Sequence, residues 1–559
     1  MAEEIIKQSL AAPGFLGLNS QQSNEDSDIR FARVAENVVF DSAGRLASRK
    51  GWVALTGEIG SFGSGGAAEY GIAEYGIAEY GAPTNMKFVF EFVKEGSNVI
   101  ISGGGSQLYT GTNPITNVTI KNAANNGAAT YTITADNWQA VALPYGEGQD
   151  SKPHAYLVQS NHKVLVFHEL PTAGSANPHA HDSGTFGFQV LDDTGTLPFG
   201  YSAGEFKPNC GLAAYGRLWL ANSPGDTQTI YFSRLLDGSD FSGGDSGSLS
   251  LNAVFPNNDE VIALAAHNGF LIVFGRDNIA VYGTPTDVTQ LTLVDYIPNV
   301  GCIARDTVQN TGTDIIFMSR IGLLSLQRVI QEKSLPFRDL SKNIRDEFLV
   351  DVLAEPENNI KGIYYPKEAF YLLSLPGAEK TYCFDTRSLL PDGAARVTTF
   401  SNFSPNSFCI TQADELLLTT PTYIGKYDGY LDNGDNYRLR YYTNYTNLGL
   451  PSNIKILKKI GVTYRGASNK QFYIYWGFDY TEEYRSTTRT VSNQASVSEF
   501  GIAQYGIGEY GDSLFKNGSF IVNSSGTGNV TQIGIEADVE GNYLALQKID
   551  VFAKQGKVI

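Results

Sequence analysis

Five of the six histidines lie between residues 154 and 181, and the last two belong to the segment PHAHD at 178–182. Two histidines separated by one residue resemble the HxH entry of several metallohydrolases. The metallo-β-lactamase pattern requires an acidic residue two positions after the second histidine, whereas Asp182 follows His181 at once. Because the surrounding residues are polar and typical of a loop, we expect no metal site here.

Three further segments resemble protease loops. GGDSGS (243–248) places Ser246 like a trypsin-type nucleophile, but that family has its histidine before the serine, and His267 comes after it. DSGT (182–185) and DDTGT (192–196) resemble the aspartic-protease loop, but they are too close in the sequence to build two lobes that share a proton. We interpret both as glycine turns.

The loop at 427–437 clusters Asp428, Asp432 and Asp435 among glycines, as calcium loops do. The EF-hand register and its terminal glutamate are absent, so calcium binding stays an open alternative. The chain has neither a GxxxxGK[ST] phosphate loop nor a GxGxxG motif after a strand. We therefore predict no catalytic residue, no cofactor and no assigned metal site, and a protein that is not an enzyme.

The four cysteines are far apart in the sequence and form no CxxC pair. Each has an apolar, strand-like context, as in KTYCFDT and SFCITQ. We expect buried free thiols at Cys210, Cys302, Cys383 and Cys409.

The composition favours an all-β protein with more than one domain. The 559 residues are 12% aromatic and include 59 Gly but only 3 Met, a mixture rich in strand and turn formers. This length predicts two to four domains. The net charge of −17 disfavours tight binding of nucleic acid, because like charge repels phosphate.

A strand, a tight turn and a second strand recur along the chain. The later copies start 44 to 55 residues apart, which is the size of one propeller blade. A single hairpin cannot bury its own apolar face, so we predict a central β-propeller of six or seven degenerate blades. A pair of β-sandwiches is the alternative. The seven hairpins lie at 92–111, 155–168, 216–233, 269–283, 313–327, 368–386 and 413–429.

The best helical pattern is at residues 339–356, where Leu340, Ile344, Phe348 and Val352 recur every four residues. Asp339 is placed to cap this helix and Pro356 to end it.

Three domains follow from these patterns. Residues 1–85 form an N-terminal arm with a hairpin whose turn is at 41–44, residues 86–430 form the propeller, and residues 431–559 form a C-terminal β-sandwich. The N-terminus carries no secretion signal and no apolar run approaches the length of a membrane span, so we expect no membrane span.

Three stretches resemble the tail nozzle proteins of short-tailed bacteriophages, also called packaged-DNA stabilisation proteins. They are CGLAAYGRLWLANS with TIYFSRLLDGSDF (210–241), VIALAAHNGFLIVFGRDNIAVYG (261–283) and GCIARDTVQNTGTDIIFMSRIGLLSL (301–326). The hairpin ENVVFDSAGRLASRKGW (36–52) is similar to one common among phage tail proteins. Together they cover less than a fifth of the chain.

The resemblance implies a homohexameric ring that forms the tail tube below the head-to-tail adaptor protein, in a virion assembled in the host cytoplasm. Such a ring retains packaged double-stranded DNA and later conducts it without binding it specifically. Tail fibres or spikes are further expected partners. The family offers no catalytic residues to transfer. Acidic residues in the bore would keep the duplex from adhering.

Two other functions stay open. A receptor-binding or fibre-like tail protein predicts long β-repeats and a trimer. A carbohydrate-active propeller enzyme predicts convergent carboxylates in a central pocket.

The pentapeptide of AAEYGIAEYGIAEYG (67–81) returns as EFGIAQYGIGEYG (499–511). A bend at each glycine would bring the aromatic residues of a copy to one face. We hypothesise that the two copies pack together; two independent flexible loops are the alternative. The interaction residues would be Tyr70, Tyr75, Tyr80, Phe500, Tyr505 and Tyr510.

Overall fold

The computed structural model of this chain is nearly all strand, which confirms the predicted all-β class. Among the described residues, no helix combines the length and hydrophobicity needed to cross a bilayer. The structure describes residues 5–21, 28–57, 86–93, 98–104, 107–110, 113–114, 119–120, 138–142, 154–158, 163–171, 181–190, 197–198, 201, 206–238, 240–326, 339–449, 451–466, 470–481, 483–491 and 516–558.

The first part of the chain contains six short strands. Their central hairpin turns as predicted, since the Asp41 carbonyl accepts from the Gly44 amide at 2.9 Å and Gly44 has a φ of +72°. The strands are β1 (Ile5–Ala11), β2 (Gly17–Leu18), β3 (Phe31–Glu36), β4 (Val38–Phe40), β5 (Leu46–Ser48) and β6 (Trp52–Ala54).

Seven groups of mainly antiparallel strands then follow one another, and each contains one of the predicted hairpins; we call them blades 1 to 7. Blade 6 is part of a larger sheet that continues into the sandwich described below. Blade 1 contains β7 (Phe88–Phe92), β8 (Val99–Gly104), β9 (Gln107–Thr110) and β10 (Asn113–Pro114). Blade 2 contains β11 (Thr119–Ile120), β12 (Trp138–Ala142), β13 (His154–Val158), β14 (Lys163–Pro171) and β15 (His181–Val190). Blade 3 contains β16 (Cys210–Ala214), β17 (Arg217–Ser223), β18 (Asp226–Phe232) and β19 (Gly247–Ser250).

Blades 4 to 7 have three or four strands each, and β6 supplies the fourth strand of blade 7. Blade 4 contains β20 (Val261–His267), β21 (Phe270–Gly275), β22 (Asn278–Gly283) and β23 (Thr292–Pro298), and blade 5 contains β24 (Gln309–Asn310), β25 (Ile315–Ser319) and β26 (Gly322–Ser325). Blade 6 contains β27 (Lys361–Tyr365), β28 (Phe370–Leu375), β29 (Lys380–Asp385) and β30 (Arg396–Ser401). Blade 7 contains β31 (Ser407–Ile410), β32 (Leu416–Thr419) and β33 (Ile424–Tyr427).

The first strands of the blades contact one another in sequence and close a ring. β7 contacts β12, β12 contacts β16 and β16 contacts β20. The turn Arg305–Thr307 connects β20 to β27, and β31 returns to β7. This closed order of seven sheets is that of a β-propeller, not of two sandwiches. It removes most open sheet edges at the centre, and the pairing of β33 with the N-terminal β6 fastens the last blade.

The strands of the last 120 residues form a β-sandwich with the N-terminal strands. One sheet has the order β38-β35-β41-β5-β4, and the other has the order β3-β34-β40-β36-β37. Strand pairing therefore joins the N-terminal arm to the C-terminal region, which the sequence analysis described as separate domains. The strands are β34 (Tyr437–Thr443), β35 (Asn453–Gly466), β36 (Lys470–Phe478), β37 (Arg485–Val491), β38 (Lys516–Asn523), β39 (Thr527–Gly528), β40 (Thr531–Val539) and β41 (Leu544–Val558).

The two sheets bury one apolar core between them. Tyr441, Ile474 and Ile535 from one sheet and Val462 and Ile549 from the other are each no more than 1% exposed. Strict alternation along β34 and β36 sends every second side chain into this core.

The predicted helix begins later than expected, as α1 (Arg345–Ala354), and ends before Pro356. All four residues of its predicted stripe are buried. The predicted cap is wrong: Asp339 lies six residues before the helix, where its carboxylate accepts from the Ser341 amide at 2.8 Å and from Arg345 Nε at 2.8 Å. The N-cap position is Ile344, which has no side chain able to cap.

Candidate functional site

A cluster of buried charges lies where the inner strands of several blades meet. Arg305 starts the turn before β24, and its guanidinium donates to the carbonyl of Asn209 at 2.6 Å and to that of Trp138 at 3.1 Å. It also pairs with Asp306 through Nε at 2.8 Å. Lys361 on β27 donates to the second oxygen of Asp306. We call Arg305, Asp306 and Lys361 the axial cluster; it connects blades 2, 3, 5 and 6.

Local sequence fixes the turn that carries this cluster. The Thr307 hydroxyl donates to the Ala304 carbonyl at 2.6 Å and accepts from the Met318 amide of β25 at 3.1 Å. The Tyr371 hydroxyl of β28 donates to the Thr307 carbonyl at 2.7 Å. The turn is therefore held by both neighbouring blades, which positions Arg305 toward the ring centre.

The charges of the axial cluster stabilise one another against the cost of burial. Burial by itself would raise the pKa of the Asp306 carboxyl, but the positive charges of Arg305 and Lys361 outweigh burial and hold that pKa below its ordinary value. Burial lowers the pKa of Lys361, and the carboxylate of Asp306 only partly offsets this. Removing one member would leave a buried charge without its partner.

Two cavities share Arg305 as a lining residue. The larger has a volume of about 370 Å³ and is polar, with Asn209, Asn222 and Asn358 in its wall. The smaller has a volume of about 250 Å³ and is lined by the axial cluster and by aromatic residues of the inner strands, including Trp138. Cavities of this size can hold a small ligand. A DNA duplex cannot pass through them.

Two carboxylates converge on the larger cavity. Arg276 pairs with Glu260 at 2.7 Å and with Glu357 at 2.6 Å. These hydrogen bonds raise the pKa of Arg276, with Glu357 contributing most. The arrangement partly resembles the convergent carboxylates that a glycosidase requires, but an oxygen of each acid is already occupied by the guanidinium. Sequence spacing did not reveal this trio because its members lie on three separate segments.

The protease-like loop of residues 243–248 has a structural role in the ring. Arg217, which is 2% exposed, pairs with Asp245, and the Ser246 amide donates to the Gly243 carbonyl at 3.1 Å. Both Ser246 and His267 belong to the described residues, and no hydrogen bond joins them.

The three aspartates proposed as calcium ligands have other contacts. Arg49 donates to both carboxylate oxygens of Asp432, at 2.8 and 2.7 Å. Asp428 pairs with Lys426 at 3.7 Å, and the Asp435 amide donates to the Asp432 carbonyl at 3.0 Å. Within the described residues, no three His, Cys, Asp or Glu side chains are grouped as metal ligands.

Arg49 connects the propeller to the sandwich, and we call its contacts the Arg49 joint. The side chain is fully buried, and its Nε donates to the Asn37 side-chain oxygen at 2.9 Å. Its guanidinium carbon lies 4.2 Å from the ring centroid of Tyr437 and 5.0 Å from that of Phe403. The sequence analysis missed this residue, because the same hairpin also carries Arg45 and Lys50 and nothing in the sequence distinguishes Arg49 from them.

The four cysteines are free, as predicted. Three are buried and Cys409 is partly buried. Burial raises the pKa of the Cys210 and Cys302 thiols to about 12 and that of Cys409 to about 11. No pair of them forms a disulfide.

Several predicted segments lie outside the described residues. These are DDTGT (192–196), residues 178–180 of PHAHD and both pentapeptide copies, with Tyr70, Tyr75, Tyr80, Phe500, Tyr505 and Tyr510. The segment DSGT (182–185) lies inside β15, so its interpretation as a turn is wrong. His181 begins the same strand.

No protein-family model matches the chain, and no curated protein matches it. Solved structures resemble it only loosely. The extracellular domain of a one-component system protein from B. thetaiotaomicron matches 62% of this chain and 39% of its own length, with 10% identity and a TM-score of 0.34. PorZ, a surface component of the type-IX secretion system of Porphyromonas gingivalis, matches 62% and 37%, with 9% identity and a TM-score of 0.31.

The WD40 domain of Neurospora crassa Pan2 matches 62% of this chain and 89% of its own length, with 9% identity and a TM-score of 0.31. These similarities are too low to transfer any activity or partner. The chain spans about two fifths of the first two matched proteins. Its function must therefore be argued from its own residues.

Proposed function

We propose that this chain is a structural subunit of a short phage tail tube, or nozzle. In this proposal the subunits form a homohexameric ring below the head-to-tail adaptor protein, retain packaged DNA in the virion and conduct it at ejection. Assembly takes place in the host cytoplasm, and tail fibres or spikes are neighbours in the tail.

The observation that carries the proposal is where the nozzle-like stretches lie. Residues 210–241 and 261–283 form most of blades 3 and 4, and residues 301–326 form blade 5 together with the turn of Arg305. The hairpin at 36–52 contains Arg49 and the start of β6. The stretches that carry the resemblance therefore include the first three strands of blades 3 and 4, the strands of blade 5, and both Arg305 and Arg49. A shared architecture would account for this distribution.

Rigid connection of the two regions supports a load-bearing role. β3 of the sandwich bridges to β30 of blade 6 at Glu36 and Thr399, so one sheet continues from propeller to sandwich. The Arg49 joint lies beside this bridge, where the Arg49 guanidinium donates to the Ser401 carbonyl at 3.3 Å. A subunit that holds pressurised DNA needs such resistance to internal hinge motion.

The two cavities at the axial cluster, of about 370 and 250 Å³, are too small for a DNA duplex. In this proposal DNA therefore passes through the lumen of the hexamer, between subunits. The net charge of −17 per chain suits a lumen wall that repels phosphate.

A receptor-binding or fibre-like tail protein is the second candidate. The carbohydrate-active enzyme is the third, and Glu260 and Glu357 at the larger cavity are the observation that favours it. Replacing either with glutamine would abolish hydrolysis if the enzyme were correct. The nozzle proposal expects no effect of these changes on particle yield beyond that of a lost surface ion pair.

Particles that lack this chain provide the test. If it retains DNA as a nozzle, particles assembled without it should package DNA and then release it, so that the genome becomes sensitive to nuclease. Adding the purified chain to freshly filled heads should restore protection. Particles that stay full and fail only to adsorb to cells would instead support the receptor-binding alternative and contradict the nozzle proposal.

A further inference from the structure

The outer face of one sandwich sheet carries a row of tyrosines. Along β36 the side chains of Phe472, Ile474 and Trp476 enter the core, so those of Tyr473 and Tyr475 lie on the opposite face. Tyr442 of β34 and Tyr484, which precedes β37, lie on the same face. We call Tyr442, Tyr473, Tyr475 and Tyr484 the tyrosine face.

The rings of this face pack against one another and over glycines. The Tyr442 and Tyr475 rings are stacked, with centroids 6.0 Å apart and planes at 26°. Tyr484 meets Tyr442 edge to face at 5.8 Å. A Cβ at Gly534 would overlap the Tyr442 ring, and one at Gly477 would lie 3.1 Å from the Tyr484 ring. Because glycine has no Cβ, the rings of Tyr442 and Tyr484 can lie close to the backbone of the sheet at these two positions.

Hydrogen bonds from three hydroxyls fix the orientation of the rings. Tyr442 donates to Glu536 at 2.7 Å and Tyr473 donates to Asp538 at 3.2 Å. Tyr484 donates to the side chain of Gln532 at 2.6 Å. The rings are thus organised before any partner arrives, which reduces the entropy that binding must cost.

Charged groups of both signs lie among the rings. Arg438 is placed 4.6 Å from the Tyr473 ring centroid and donates to Asp538 at 2.8 Å. Arg440, which is 44% exposed, lies 3.4 Å from Glu36 and 3.8 Å from Glu536. Donors and acceptors therefore alternate beside flat aromatic surface.

The composition of this face separates three classes of occupant. Protein interfaces are also rich in Tyr and Arg, but their cores are depleted in Asp and Glu, whereas Glu536 and Asp538 lie among the rings of this face. Single-stranded nucleic acid also stacks on aromatic rings, but its grooves are positively charged, and here carboxylates accompany the arginines. Flat rings beside carboxylates, guanidinium groups and an amide match the apolar ring faces and hydroxyl groups of a sugar chain.

We propose that the tyrosine face binds a neutral saccharide chain. Tyr475 and Tyr484 supply ring faces for stacking, and the partly exposed Asp538 and Arg440 exchange hydrogen bonds with sugar hydroxyls. Tyr480, which is 40% exposed and 4.6 Å from Tyr445, extends the aromatic row by one further pair. This binding goes beyond the tail-tube proposal and does not depend on it.

Affinity electrophoresis of the full chain tests the proposal. Native gels would contain laminarin, mannan, galactan, xylan or dextran, and at least one of these should retard the wild-type chain. Tyr475→Ser should weaken that retardation at least tenfold, whereas Tyr475→Phe, which keeps the ring, should retain it within about twofold. Tyr475 is the suitable residue because its hydroxyl makes no hydrogen bond within the described part of the chain. Its replacement should leave the fold intact, which thermal unfolding would verify.

Tyr423→Ser is the matched control, because Tyr423 pairs with Trp52 in the propeller, at a centroid distance of 6.0 Å. It should bind as the wild type does. The proposal is overturned if no polysaccharide of the panel retards the wild-type chain, or if Tyr475→Ser binds unchanged. It is also overturned if oligothymidylate binds through Tyr475, or if Tyr475→Ser abolishes self-association instead.

Discussion

Blades 3 and 4 of the propeller each form from one continuous stretch of chain, 210–250 and 261–298, whereas the sandwich joins segments from opposite ends of the sequence. Ile5 of β1 pairs with Lys554 of β41. A hairpin pairs strands that are close in the sequence, whereas the pairing of β1 with β41 closes a loop of nearly the whole chain and costs more chain entropy. The comparison indicates that the strands of a blade pair through contacts local in sequence, whereas the sandwich forms only when both ends of the chain are present.

Two of the buried arginines, Arg305 and Arg49, differ in their surroundings. Arg305 is surrounded by carbonyl groups, Asp306 and Lys361, so its contacts are polar and lie within the propeller. Arg49 combines one carboxylate with aromatic rings, and its contacts reach both regions. Loss of the first cluster should weaken one region, and loss of the second should uncouple the two.

The largest expected effect comes from Asp432→Ala. This change leaves the fully buried Arg49 charge without its carboxylate, which should cost about 3–5 kcal/mol. Thermal unfolding should separate into two transitions, since the Arg49 joint connects the regions. Asp435→Ala, at an exposed position three residues away, is the control and should unfold like the wild type. A single unshifted transition for Asp432→Ala would show that the joint does not couple the regions.

A smaller effect, confined to the propeller, is expected from Lys361→Met. Asp306 would lose one of its two cationic partners and keep Arg305, at a cost of about 1.5–3 kcal/mol. Lys426→Met removes a more exposed pair with Glu415 and should cost no more than about 1 kcal/mol. Denaturant titrations of both variants make the comparison. Equal costs for the two would argue against a special role of the axial cluster.

Loss of one hydrogen bond beside β6, the strand that completes blade 7, should destabilise the propeller less than loss of Lys361. Leu55 follows β6, and its amide donates to the Ile424 carbonyl at 2.9 Å. Leu55→Pro removes this hydrogen bond at a cost of about 1 kcal/mol, and Leu55→Ala keeps it. Hydrogen exchange in blade 7 should accelerate for the proline variant alone. Equal exchange in the two variants would mean that β6 does not fasten the ring.

The smallest effect is on the reactivity of the thiols, which report on one region only. All four cysteines lie in the propeller, and burial raises the pKa of each thiol. Labelling at pH 8 should therefore be slow in the native chain, with Cys409 reacting first because it is the least buried. In Asp432→Ala, labelling should follow the propeller transition and not that of the sandwich. Fast labelling of Cys210 or Cys302 in the native chain would contradict their burial.

Most of the elements of the fold could be predicted from local patterns in the sequence. Each of the seven predicted hairpins corresponds to a blade, and the stripe from Leu340 to Val352 is buried as expected. These features depend on side-chain alternation and turns within a few residues. Partners far apart in the sequence were missed, because neither the pairing of β1 with β41 nor that of β6 with β33 leaves a local pattern.

The polar sites were harder to predict for the same reason. The axial cluster joins residues 305–306 to Lys361 across two blades, and the Arg49 joint joins residues almost 400 positions apart. The tyrosine face was missed for a similar reason. The alternation that turns Tyr473 and Tyr475 outward on β36 is visible in the sequence, but the pairing that places residues of β34 and β40 beside them is not. Motifs that resembled catalytic loops were visible because their residues are contiguous in the sequence.

The most direct measurement for the tail-tube proposal is a cryo-EM reconstruction of the assembled particles that the proposal says contain this chain. The account predicts six copies in a ring at the tail, with DNA density in the lumen between subunits and none along the axis of any propeller. Three copies on a fibre, a ring of another order, or DNA density through a propeller axis would contradict it.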